Sequence, residues 1–171
     1  MNLRKKEGIT LVALVVTVIL LGILASIGAY YGNEVIKNAN LESLKTDMLL
    51  IQAKAKEYVE EATFKMGINP DETKKQEARQ EIYINTAKLK TLSQAKTEDG
   101  INIPSEISTN DNFYYVTREA LNEMGLEKVE TGENKGEYLI EFDENNATAE
   151  IYNTKGRNGQ YSLTEIDKIE E

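Results

Sequence analysis

Cysteine, histidine and tryptophan are all missing from this 171-residue chain, and proline appears only twice. Without cysteine there is no disulfide framework, no thiolate chemistry and no acylated lipoprotein terminus. Without cysteine or histidine the common zinc sites are excluded, and a nucleophile would need a lysine or carboxylate base. No G-x-S-x-G elbow, P-loop or G-x-G-x-x-G occurs either, so the expectation is a non-enzyme with no cofactor. Positive charge is also short: 20 Lys and Arg stand against 29 Asp and Glu, a net charge of −9. An acidic chain is repelled by nucleic acid, so no nucleic-acid partner is expected.

What the chain does have is an apolar run. Arg4, Lys5, Lys6 and Glu7 give the first eight residues a charge of +2 and leave −11 for the rest. From Ile9 to Ala29 there is neither charge nor proline. As a helix this run is about 31 Å long, close to the hydrocarbon thickness of a bilayer. With basic residues before it and Glu34, Glu42 and Asp47 after it, the positive-inside rule predicts a single pass. The N-terminus would be cytoplasmic and the bulk of the chain extracytoplasmic. A cleaved secretory signal fits poorly, because the run exceeds the usual h-region and Ala25-Ser26-Ile27-Gly28-Ala29 is a weak A-x-A site. A plain uncleaved signal anchor needs only length and flanking charge.

Neither of those readings uses the junction itself. Basic residues ending in Gly8, followed by Ile9-Thr10-Leu11-Val12-Ala13-Leu14, resemble the class III signal of type IV pilins and pseudopilins. The resemblance implies cleavage between Gly8 and Ile9 by a prepilin peptidase and N-methylation of Ile9. It also implies an assembly helix beginning Ile9, Leu11, Ala13, Leu14 that packs against other pilin or pseudopilin subunits. Gly8 offers a protease no side-chain obstruction. Two positions depart from the family pattern. Ala13 stands where a glutamate is usual, which implies docking by apolar contacts alone or a minor or tip-type subunit. Tyr30 stands where a mid-helix proline is common.

Beyond Tyr30 and Tyr31, the residues Leu41, Leu44, Met48, Ile51, Ala55, Tyr58 and Ala62 recur at steps of three and four. This spacing predicts an amphipathic helix ending near Phe64 to Gly67, whose stripe packs on a sheet or in a two-stranded coiled coil. Asn69 and Pro70 predict a second helix start, with Asn69 as cap, in a charge-rich connection that breaks near Asn85-Thr86. Thr117 predicts a cap for a helix over Arg118 to Met124, stopped by Gly125. Glu137–Phe142 and Ala147–Tyr152 predict a hairpin about Asp143-Glu144-Asn145-Asn146, with Tyr138, Ile140 and Phe142 on one face and Ala147, Ala149 and Ile151 on the facing side. That turn lacks EF-hand spacing, so no metal site is expected.

The expected fold is therefore α+β and pilin-like: a long N-terminal helix, half membrane-spanning and half amphipathic, packed on a small antiparallel sheet. Its divisions are a leader at 1–8, a transmembrane part at 9–30, an amphipathic continuation at 31–66, a variable connection at 67–112 and the sheet at 113–171. The expected function is a pilin-like or pseudopilin subunit built into a pilus or secretion pseudopilus. The rival is an uncleaved, membrane-anchored extracytoplasmic binding domain that does not polymerise.

Overall fold

The computed structural model describes residues 11–132 and 134–169, with side chains along the first helix described for 14–22 and from 35 onward. Two compact units emerge, Met1–Leu41 and Glu42–Glu171. The first helix, α1 (Leu11–Met66), contributes to both. No glycine or proline interrupts it between Asn33 and Met66. It stops where Gly67 takes a left-handed φ of 76° and its N–H returns to the Thr63 carbonyl at 3.2 Å, the usual role of glycine at a helix C-terminus.

A single membrane pass on Ile9–Ala29 is overturned. No helix among the described residues is long and apolar enough to cross a membrane. The cytoplasmic N-terminus and extracytoplasmic domain that depended on the pass go with it.

The second unit is built on a five-stranded antiparallel sheet whose strands neighbour one another in chain order. These are β1 (Lys90–Thr91), β2 (Phe113–Tyr115), β3 (Tyr138–Asp143), β4 (Thr148–Arg157) and β5 (Gln160–Ser162). Ile140 pairs with Ile151 and Phe142 with Ala149, while Tyr114 pairs with Ile140. Alternation along a strand then puts Tyr114, Tyr138, Ile140, Phe142, Ala149 and Ile151 on one face. That face meets α1. Met48, Ile51, Ala55, Val59 and Ala62 are fully buried, and the Gln52 amide donates to the Ala149 carbonyl at 2.9 Å. The small side chains of Ala55 and Ala62 allow the helix to approach closely. Leu41, Met48, Ile51, Ala55 and Ala62 of the expected stripe are buried, joined by Val59 and Met66, while Leu44 and Tyr58 lie at its half-buried margins.

The opposite face of the sheet is covered as well. Phe113, Tyr115 and Leu139 form a second core with Ala95 and Ile107, against which Leu92, Ile101, Ile103, Tyr152 and Tyr161 pack. The connection supplies this cover as α3 (Leu92–Gln94), a π-helical stretch (Ala95–Asp99) and the loop beyond it, and it also supplies β1.

Local signals explain most of the boundaries. Thr117 accepts from the Ala120 N–H at 2.9 Å and starts α4 (Arg118–Glu123), which ends with Gly125 at φ 72°. The cap of α2 (Glu72–Arg79) is Asp71, not Asn69: the Asp71 carboxylate accepts from the Lys74 N–H at 2.9 Å. Asn69 instead takes φ 51° and turns the chain out of α1. A π-helical stretch (Gln80–Thr86) follows α2 and buries both Ile82 and Tyr83. Ala147 does not face inward from a strand; with φ 50° it closes the β3–β4 turn. The last helix, α5 (Leu163–Ile166), begins with a capping box between Ser162 and Glu165.

Candidate functional site

The first unit carries the surface that the sequence singled out. Gly8 and Ile9 lie outside the described residues. Leu11 and Ala13 are on α1, their side chains undescribed, and Leu14 is 56% exposed. After Leu14 the helix exposes Val15, Val16, Val18, Ile19, Leu20 and Leu21, each between 47% and 64%. At 100° per residue these seven side chains point to every side of the helix but one. The remaining direction belongs to Thr17, whose hydroxyl is turned back onto the Leu14 carbonyl at 2.8 Å. Its polarity is thereby spent on the helix itself.

A helix apolar nearly all round is one expected to be buried. Covering the exposed half of each side chain yields about 1 kcal/mol apiece. A single partner touching two or three of them gains roughly 3 kcal/mol, less than the 4 or more that association costs. Several neighbours enclosing all seven exceed that threshold. The surface is therefore suited to bundling and unsuited to a simple pair.

The second unit contains a groove of about 1140 Å³. It lies between the C-terminal part of α1, the start of α2 and the β3–β4 turn, with Lys56, Arg79, Asn112 and Glu144 among its lining. Arg79 donates from Nε and from one terminal nitrogen to the two Glu144 oxygens, both at 2.8 Å, and to the Asn112 side chain at 3.2 Å. The Tyr83 hydroxyl donates to Glu144 at 3.3 Å, and its ring stacks on Phe142 at 4.0 Å between centroids. Burial, and then the Glu144 charge, pushes the Tyr83 hydroxyl far above the ordinary tyrosine range. This arrangement is a fastening between the connection and the hairpin. Its cation is already matched by its anion, so it offers no free charge to a ligand.

Other tyrosines repeat the motif. The Tyr115 hydroxyl donates to Glu137 and that of Tyr152 to Glu141, each at 3.0 Å. Burial raises both pKa values, with the adjoining carboxylates adding to the effect. These tyrosines stay protonated at neutral pH and act as fixed donors. Among the described residues no group of His, Cys, Asp or Glu is arranged to hold a metal ion. The Arg79–Glu144 pair had no sequence signal, because the partners are 65 positions apart. Comparison of the chain with protein-family models, curated proteins and solved structures finds no match.

Proposed function

We propose that this protein is a pilin-like or pseudopilin subunit, cut after Gly8 by a prepilin peptidase and assembled with similar subunits through the helix that begins at Ile9. The observation that carries the reading is the helix from Leu14 to Leu21, exposed and apolar on every side but that of Thr17, on a chain whose second unit, from Glu42 on, is an acidic α+β fold. The helix needs several neighbours of its own kind, and the folded unit gives the fibre its outer surface. The Gly8-Ile9 junction supports the processing step, and the long helix lying on an antiparallel sheet supports the architecture. The absence of an acid at Ala13 fits assembly by apolar contact.

Intact mass of the protein from its native cells tests the processing step. A species beginning at methylated Ile9 is expected; one retaining Met1–Gly8 would sink the proposal. Val18→Lys tests assembly. It places a charge in the apolar surface, so fibres or oligomers are expected to disappear while the circular dichroism of the folded unit is unchanged. Oligomers persisting at wild-type levels would show that this surface is not the one used.

A further inference from the structure

The end of α1 carries two large apolar side chains that the fold leaves in water. Phe64 is 90% and Ile68 96% exposed, and no other large apolar side chain among the described residues exceeds 66%. At about 100° per residue Phe64 points away from Ala62 and Met66, which are buried, and so away from the sheet. Ile68 follows the glycine that ends the helix, where an apolar residue ordinarily folds back onto the last turn. Here it stands clear. Its backbone is set by its neighbours: Gly67 and Asn69 take left-handed φ values of 76° and 51°, and Pro70 follows with φ locked by its ring. A turn held in this way loses little freedom when Ile68 is covered.

The flank of this pair is negative. Glu57, Glu60 and Glu61 precede Phe64 on the same side of the helix, and all three are exposed. Glu57 is held by Lys54 at 2.9 Å, and Lys65 is taken by Glu81. Among the described residues no cation stands within ion-pair distance of Glu60 or Glu61. Burial, and then the carboxylates of Glu123, Glu57 and Glu61, push the neighbouring Tyr58 hydroxyl above the ordinary tyrosine range, so negative potential gathers on this flank.

We propose that this tip binds a basic protein, one whose apolar pocket takes Phe64 and Ile68 and whose lysines or arginines face Glu60 and Glu61. Covering the two side chains returns about as much as covering four half-exposed ones, which only reaches the lower limit of what association costs. The partner must therefore gain from the charges as well, and a positive surface does so. A second copy meeting the tip across a two-fold axis would set Glu60 and Glu61 against their own equivalents. An anionic lipid surface would be repelled in the same way. All of these residues belong to the second unit, so the proposal does not depend on the helix at Leu14–Leu21.

The photoreactive analogue p-benzoylphenylalanine in place of Phe64, in the full chain in its native cells, bonds on irradiation to what lies against the tip. Mass spectrometry then identifies the bonded segment. The expected adduct is with a different protein, at a segment where lysine and arginine outnumber aspartate and glutamate. Glu60→Lys combined with Glu61→Lys should lower its yield about tenfold, and Ile68→Ser by a similar factor, with the circular dichroism of the chain unchanged. An adduct with another copy of this chain, with lipid or with an acidic or uncharged segment would overturn the proposal. So would an adduct indifferent to the charge reversal, or none at all.

Discussion

Glu144 occupies a turn, yet both its carboxylate oxygens are held by the Arg79 guanidinium, with only 14% and 24% of the two side chains exposed. A half-buried, bidentate pair is strong mainly in the sense that breaking it is expensive. Glu144→Gln leaves the guanidinium without its counter-charge and should lower unfolding free energy by about 2 kcal/mol. Adding Arg79→Met should restore part of that loss. Urea denaturation of the two variants checks this, and a double variant less stable than the single one would contradict it. Asp47 behaves in the opposite way. Burial is the largest influence on it and lifts its carboxyl pKa above the ordinary 3.8, although Lys135 and the Tyr138 hydroxyl pull it down. The folded state therefore holds this proton more tightly than the unfolded one. The contribution to stability is complete below the unfolded value and is lost as pH rises through the folded value. Asp47→Asn should accordingly stabilise the protein at pH 7 by a few tenths of a kcal/mol, the exposed part of the side chain limiting the gain. Unfolding curves at pH 7 and pH 3 should show the advantage vanish in acid.

At the scale of elements, what could be read from sequence was what is local. Thr117 announced α4 because a cap needs only its own helix, and the hairpin declared itself through alternation on either side of polar turn residues. Thr117 also has a distant role that sequence did not suggest: its hydroxyl donates to the Lys88 carbonyl at 2.9 Å, tying α4 to the loop that leads into β1. Thr117→Ala should cost about 1 kcal/mol for the cap and somewhat more for the lost tie, while Thr117→Ser should recover most of it; thermal unfolding separates the two. Elements set by tertiary demand were not legible. The π-helical stretch exists where adjacent Ile82 and Tyr83 must both be buried, which no 3.6-residue pattern anticipates. Asn69 was a plausible cap by residue type, but α1 ends so late that Asn69 is consumed in the exit turn. Ala147 was similarly claimed by its turn: Asp143 accepts from the Asn145 and Asn146 N–H groups at 3.0 and 3.2 Å, and this lengthens the bend by one residue.

For the whole molecule, the two compact units divide between Leu41 and Glu42, inside the 31–66 stretch that the sequence predicts as one continuous piece. The membrane pass did not follow from the apolar run, because a length of uncharged residues fixes an affinity for apolar surroundings without fixing what provides them. The second core under the sheet was missed for a related reason: Ile101, Ile103 and Ile107 lie in a segment with no periodicity, so their burial could be known only from the fold.

The turning inward of the Thr17 hydroxyl has a consequence for how the protein behaves in bulk. With that hydroxyl satisfied, the stretch Leu14–Leu21 presents no charge, while the chain as a whole carries a net charge of −9. On the function proposed here, association of such chains would be opposed by their like charge. Added salt weakens that repulsion without weakening apolar contact, so ionic strength would control when subunits gather.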